Sequence, residues 1–280
     1  MDDTGFAERY GPWALVAGAS DGVGAAYARA MAERGLNVVL LARRQPVLDE
    51  VAAAIGADTG VETRAVAVDL AQTDAMDRIV DATAGLDVGM VMYCAGADPN
   101  YEPFLANPVE VALAMVHRNC VVPVQVCHYF AGPMTARGRG GIVLVSSGAA
   151  LVGSPNMVAY GASKAFDMVM AEALWAELHD RGVDVLGLVL GATDTPALRA
   201  LLARRGILAS PDDPAPIPGA ATPEEVVADA IANLRDGPTR FVGEQLRAGA
   251  QQLGAIPRND AVKLMIQQAR ELMGSGQTAG

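Results

Sequence analysis

The chain has 280 residues, 51% apolar and 19% charged, with 32 acidic against 21 basic residues and a formal net charge of −11. That is enough apolar material for a sizeable core, and an acidic chain without a Lys/Arg run is a poor partner for nucleic-acid phosphates or anionic lipid. Three cysteines (Cys94, Cys120, Cys127) without CxxC spacing argue against a disulfide framework or zinc site and suit a reducing cytoplasm; Met1-Asp2-Asp3 lacks the basic and apolar regions of a signal peptide, and no apolar run approaches the roughly 18–20 residues of a membrane span.

The expected elements alternate along the chain. A strand over Trp13–Ala17 runs into glycines, and an Ala-rich helix follows over Gly22–Arg34 with Gly35 as its stop. Strands are then expected over Asn37–Leu41, Val61–Leu70, Val88–Tyr93, Gly141–Val145 and Val183–Leu190, with Phe241-Val242 as a final edge strand. Helices are expected between them, over Pro46–Ile55, Asp74–Thr83, Pro108–Ala136 and Val158–Arg181, and an amphipathic one over Ala261–Met273. Buried strands alternating with helices predict an α/β fold: a Rossmann-type, doubly wound parallel sheet of about seven strands with helices on both faces. There is no internal repeat. The Pro-rich stretch Ser210–Ala221 reads as a loop rather than a linker, so one domain over residues 1–280 is expected.

In such a sheet ligands bind beyond the carboxyl ends of the strands. Chemically capable residues gather there: Gly18–Gly24 after the first strand, Arg43 after the second, Asp69 at the third, Cys94–Gly96 after the fourth, Ser146-Ser147 after the fifth and Gly191–Thr195 after the sixth. The turn Gly18-Ala19-Ser20-Asp21-Gly22-Val23-Gly24 has GxxxGxG spacing. Glycines let the backbone approach a pyrophosphate, and the helix N-terminus offers free N–H groups and the positive end of its dipole. After the second strand a carboxylate would hold the ribose 2′-OH of NAD, whereas arginine suits the 2′-phosphate of NADP. Here the sequence is Leu41-Ala42-Arg43-Arg44. Arg43 offers bidentate, charge-assisted bonds, and Ser20 adds a hydroxyl. NADP(H) is therefore expected ahead of NAD(H); solvated surface charge is the alternative for the two arginines.

Tyr160 and Lys164 stand four residues apart in the predicted helix after the fifth strand and so share a face. A phenol titrates near about 10, and an adjacent ammonium favours the phenolate. Tyr160 then suits general acid catalysis of ketone reduction and general base catalysis of alcohol oxidation. Ser147 can hydrogen-bond the substrate oxygen. Asn119 is an amide among apolar helical neighbours.

The strand–GxxxGxG–helix unit, the Ser147-to-Tyr160 interval and YxxxK together resemble the short-chain dehydrogenase/reductase family over about residues 11–240. The resemblance implies a catalytic tetrad of Asn119, Ser147, Tyr160 and Lys164, with Lys164 also on the nicotinamide ribose and Asn119 holding a relay water. It implies that Asp69, with Leu70, meets the adenine, that Ala95 and Gly96 line the cofactor, and that Gly191, Thr193 and Thr195 cradle the carboxamide. Three stretches depart from the family's pattern: Ala17-Gly18 for Thr-Gly, Tyr93-Cys94-Ala95-Gly96 for NNAG, and Leu190-Gly191 for Pro-Gly. The first two remove side chains that brace the family's turn and central sheet.

Tyr10-Gly-Pro-Trp13, Asp21-Gly-Val-Gly24 and Gly35-Leu-Asn-Val-Val39 resemble hydroxysteroid dehydrogenases and 3-ketoacyl-CoA reductases. Gly60-Val-Glu-Thr63, Gly85-Leu-Asp-Val-Gly89 and Tyr160–Phe166 are similar to bacterial 7β-hydroxysteroid dehydrogenases. The family places a substrate lid over about 195–221. There Leu198, Leu201, Leu202, Ile207 and Leu208 either wall an apolar substrate or pack the lid down. A C-terminal extension covers about 243–280. Family dimers form through the helices Pro108–Ala136 and Val158–Arg181, so a homodimer or homotetramer is expected. His117, His128 and His179 lack ligand spacing, and no metal is expected. The expected reaction interconverts a hydroxysteroid or similarly bulky apolar alcohol and its ketone, with a 3-oxoacyl thioester reductase, or a catalytically weak nucleotide-binding scaffold or redox sensor, as alternatives.

Overall fold

The computed structural model describes residues 3–98 and 100–273. Seven strands, β1 (Trp13–Ala17), β2 (Asn37–Ala42), β3 (Thr63–Ala67), β4 (Val88–Tyr93), β5 (Gly140–Ser147), β6 (Val183–Leu190) and β7 (Thr239–Phe241), form one sheet. Its order is β3-β2-β1-β4-β5-β6-β7, and every pairing is parallel. The helices are α1 (Asp3–Tyr10), α2 (Gly22–Glu33), α3 (Gln45–Thr59), α4 (Ala75–Thr83), α5 (Val109–Val116), α6 (Val122–Arg137), α7 (Val158–Leu178), α8 (Pro196–Arg204), α9 (Pro223–Ala232), α10 (Glu244–Gly254) and α11 (Arg258–Met273).

Alternate residues of a strand point to opposite faces, and both faces are covered here. Ala14, Val16, Val38, Leu40, Met90, Met92 and Val143 join one core with residues of α2, α3 and α9. Leu15, Ala17, Val39, Leu41, Val91, Tyr93 and Ile142 join the other with residues of α4, α6 and α7. This is why the strands read as unbroken apolar runs. β3 is shorter than its expected Val61–Leu70 span because it is an edge strand, and all five of its residues are only half-buried. After β3 the chain returns to the far side of β1 to lay down β4. That reversal opens a crevice at the carboxyl ends of β1 and β4.

The helix expected over Pro108–Ala136 is broken. A π-helical turn, His117–Val121, separates α5 from α6. Pro123 explains the break, since it has no N–H to donate back into the preceding turn. The Val122 N–H goes to His117 O, which leaves the Arg118 carbonyl without a helical donor. The Tyr93 hydroxyl fills the place, donating to Arg118 O at 2.5 Å.

Sequence reading passed over α1, α8, α9 and α10. Arg9 Nε and Tyr10 OH of α1 each reach Asp184 Oδ2 of β6 at 2.6 Å. The amphipathic helix expected over Ala261–Met273 begins three residues earlier, at Arg258; residues 274–280 of the expected extension lie outside the described residues. Among the described residues no helix is long and apolar enough to cross a membrane.

Candidate active site

The phosphate turn is fixed from two sides. Gly18 N and Ala19 N both donate to Leu41 O of β2, at 2.8 and 3.0 Å. Gly18 has φ 89°, and a Cβ there would lie 2.9 Å from Ala95 N. A Cβ on Gly24 would lie 2.0 Å from Gly18 O, and one on Gly22 (φ 54°) would lie 2.9 Å from Thr195 Cγ2. The three glycines are thus required by the turn's own packing, and Thr195 at the head of α8 is brought against it. Asp21, at the N-cap of α2, makes no side-chain cap bond. Its carboxylate pairs with Arg44 at 3.1 Å instead, so no side-chain acceptor claims the first N–H groups of α2. A dinucleotide pyrophosphate fits this cradle.

Around the neighbouring strand ends, Arg43 is exposed and Leu70 is buried. Asp69 Oδ1 accepts from Ala71 N at 3.0 Å, so this side chain also braces its own turn. Val68 N donates to Ala42 O at 2.7 Å, tying the end of β3 to that of β2. His117 Nδ1 lies 3.2 Å from Leu70 O and fastens the π-turn to the same corner. Arg118, which sequence reading missed, donates to Ala97 O and Asn119 Oδ1, both at 3.1 Å. Burial holds its guanidinium below the ordinary range, although Tyr93 opposes this; Arg43 pushes the same way as burial. Among the described residues it has no carboxylate within ion-pair distance, although Asp69 and Asp98 are near enough to favour its charge.

The π-turn delivers Asn119 to the centre of the site, fully buried. Its Nδ2 donates to Gly96 O at 3.3 Å and to Ser163 Oγ at 2.9 Å. Ser163 Oγ in turn donates to Tyr160 O at 2.8 Å. Gly96 has φ 135°, and a Cβ there would lie 2.7 Å from Asn119 Oδ1. This glycine is needed for the amide to fit. Ser147 closes β5 and caps the short turn Gly148–Ala150, its Oγ accepting from Ala149 N at 3.2 Å. The Ser147 hydroxyl hydrogen remains free to donate elsewhere. Gly161 of α7 packs on that turn, where a Cβ would lie 3.0 Å from Ala149 O. The β5 end and the start of α7 therefore approach closely, which brings the Ser147 and Tyr160 segments together. A cavity of about 350 Å³ reaches Tyr160 from the side of residues 98–112.

Lys164 is 3% exposed. Its Nζ donates to Val145 O at 2.8 Å and to Asp167 Oδ2 at 3.0 Å. Burial works against its charge, but Asp167 and then Tyr160 outweigh burial and hold the ammonium above the ordinary lysine range. Burial raises the Asp167 carboxyl, with Lys164 opposing. Asp167 was not singled out from the sequence; its one signal was an acid at i+3 from Lys164. Desolvation pushes the Cys94 thiol, which stands in the NNAG-like stretch, up to about 12.

Beyond β6 the segment from Thr193 to Ala221 is pinned at its two ends. Thr193 and Ala221 form a parallel bridge, with Asp194 N to Ala221 O at 2.8 Å and Ala221 N to Ala192 O at 3.0 Å. Thr195 Oγ1 caps α8 by accepting from Leu198 N at 3.2 Å. Leu198, Leu201, Leu202 and Leu208 are half-buried and Ile207 is exposed. Arg205 lies 4.9 Å over the Tyr101 ring and donates to Tyr101 O, tying the segment after α8 to the segment after β4. Helices α10 and α11 pack on the site's other rim. Leu246 of α10 abuts Gly148, and Arg258 of α11 donates to Leu151 O at 2.5 Å.

The short chain dehydrogenase family model matches residues 12–206. The chain is 33% identical over 261 residues to the 7β-hydroxysteroid dehydrogenase of Clostridium sardiniense, covering 92% of this chain and 95% of that one. A solved 7β-hydroxysteroid dehydrogenase structure superposes with TM-score 0.84 at 33% identity, covering 95% of this chain and 99% of that one. A short-chain dehydrogenase from Sphingobium yanoikuyae, solved with NADPH, gives TM-score 0.74 at 26% identity over 96% and 98% of the two chains. A glycine cradle at the sheet's switch point, a buried asparagine delivered by a broken helix and a Tyr–Lys pair one turn apart are thus found in a chain that belongs to the short-chain dehydrogenase family of oxidoreductases.

Proposed function

We propose that this chain is an NADP(H)-dependent dehydrogenase interconverting a secondary alcohol and a ketone, on a hydroxysteroid or similarly bulky apolar substrate. The observation that carries the reading is the continuous hydrogen-bond chain from Gly96 through Asn119 and Ser163 to the Tyr160 carbonyl, beside a buried Lys164 ammonium. A nicotinamide dinucleotide, when bound, supplies or accepts the hydride at the substrate's carbinol carbon. Gly18, Ser20, Gly22, Val23 and Gly24 hold its pyrophosphate, and Arg43 its 2′-phosphate, with Arg118 adding charge nearby. Asp69, Leu70, Ala95 and Gly96 line its adenosine and ribose, and Gly191, Thr193 and Thr195 its carboxamide end. Tyr160 gives its phenolic proton to the carbonyl oxygen in reduction and takes it back in oxidation. Ser147 donates to the same oxygen. Lys164 lends positive charge to the phenol, and Asn119 anchors the water that relays the proton.

The half-buried lid leucines support an apolar substrate, and the similarity to 7β-hydroxysteroid dehydrogenases supports a steroid. We place lid, body and C-terminal extension in one domain. Pairing of two copies is supported by a groove of about 900 Å³ between α6 and α7, which includes the exposed apolar Val124, Phe166 and Val169. The test is NADPH absorbance over a panel of steroid ketones and 3-oxoacyl thioesters. Steroid turnover abolished by Tyr160→Phe is expected, as is a tenfold or greater loss of NADPH over NADH preference in Arg43→Ala, about 1.4 kcal/mol. Full activity in Tyr160→Phe rejects the proposal.

A further inference from the structure

Lys164 and Asp167 are an i,i+3 pair on α7, a spacing that on most helices puts both charges in water. Here both are sealed in, with 3% and 2% of their side chains exposed. The ammonium has two acceptors, a neutral carbonyl (Val145 O) and one carboxylate oxygen (Asp167 Oδ2). The other carboxylate oxygen, Asp167 Oδ1, is buried without a hydrogen-bond partner. An unsatisfied buried carboxylate oxygen is costly, so an apolar side chain would suit the space better if packing were all that mattered. A buried lysine facing only a carbonyl loses affinity for its proton, by up to several units when fully enclosed.

We propose that Asp167 is a positioning residue of the proton-transfer pair: its carboxylate holds the Lys164 ammonium in place in a site closed to water. The inference rests on reading Tyr160 and Lys164 as the acid–base pair. Lys164 is faced by Tyr160 and Asp167 from its own helix and by Cys94 from the end of β4. Asp167 is faced by Tyr93 of β4, Cys120 of the π-turn and Cys127 of α6. Burial pushes Tyr93, Cys94, Cys120 and Cys127 up, so each is neutral at working pH. Asp167 is then the one anion among these groups. When its charge is removed, the largest effect opposing burial at Lys164 is lost.

Lys164 and Lys263 are the only lysines in the chain. Isotope-labelled lysine therefore gives two side-chain NMR signals, which Lys263→Arg assigns. In the wild-type apoprotein Lys164 should titrate above the exposed Lys263. In Asp167→Asn it should titrate lower by about one pH unit or more. A Lys164 titration that is unmoved or rises overturns the proposal. Asp167→Val carries the same test if the Asn variant does not fold, and a wild-type Lys164 titrating below Lys263 overturns the proposal without any variant at Asp167. These signals come from the apoprotein, so their failure is distinct from that of the acid–base reading, which falls with an active Tyr160→Phe.

Discussion

Tyr93→Phe isolates one hydroxyl. In the native chain it donates at 2.5 Å to the Arg118 carbonyl, which Pro123 and the His117-bound Val122 N–H leave without a helical donor. Burial holds the Tyr93 phenol far above its ordinary value, so it donates at every working pH. The ring is 1% exposed, and phenylalanine keeps its packing. What remains is a buried, unsatisfied carbonyl, costing about 1–3 kcal/mol. For a chain of this size each kcal/mol lowers Tm by roughly 2–4 °C, so a fall of about 2–12 °C is expected in a calorimetric melt. The carbonyl adjoins Asn119, so kcat should fall as well, with little change in NADP+ affinity. Pro123→Ala restores an N–H one turn on and should recover part of the loss in the double variant, a coupling that a double-mutant cycle reads directly. Equal melting temperatures for Tyr93→Phe and wild type, or strictly additive effects with Pro123→Ala, would refute the account of the π-turn.

Two further outcomes follow from contacts at the crevice. Gly24→Ala places a methyl group against Gly18 O, on a turn that Leu41 O holds from behind; fluorescence titration should give an NADP+ Kd raised at least about tenfold, or 1.4 kcal/mol, with a cooperative melt retained, and unchanged affinity would count against the cradle. Arg205→Ala removes the cation over Tyr101, an interaction worth about 0.5–1 kcal/mol at exposed sites. KM for a bulky ketone should rise about two- to fivefold with kcat nearly kept, whereas an unchanged KM would argue against this tie.

The inner strands were legible because both sheet faces are covered there, so apolar runs mark them; the half-buried edge strand β3 was read too long. The Tyr160–Lys164 pair and the glycine turn were legible because each depends on spacing within one local element. The π-turn was not: Pro123 is tolerated near a helix N-terminus, and only the fold shows that such a start lies inside the apparent helix. Helix α9 carried a readable signal that went unused, a capping box between Thr222 and Glu225 with Pro223 at the first position. Asp167 and Arg118 have ordinary surface identities in sequence. Their importance comes from burial, which chain order alone does not reveal, and from neighbours contributed by β4, β5 and the loop after β4.

The bridge between Thr193 and Ala221 separates two tasks. Because the chain is pinned there, the intervening residues form a replaceable hood whose length and apolar content can drift without moving Asn119, Ser163 or Tyr160. The same pinned neck sets Thr195 against Gly22, so nucleotide handling stays constant while the hood changes. A lineage built on this arrangement can acquire new substrates by rewriting one loop, and exchanging that loop between relatives should transfer substrate preference while leaving the choice of nucleotide where it was.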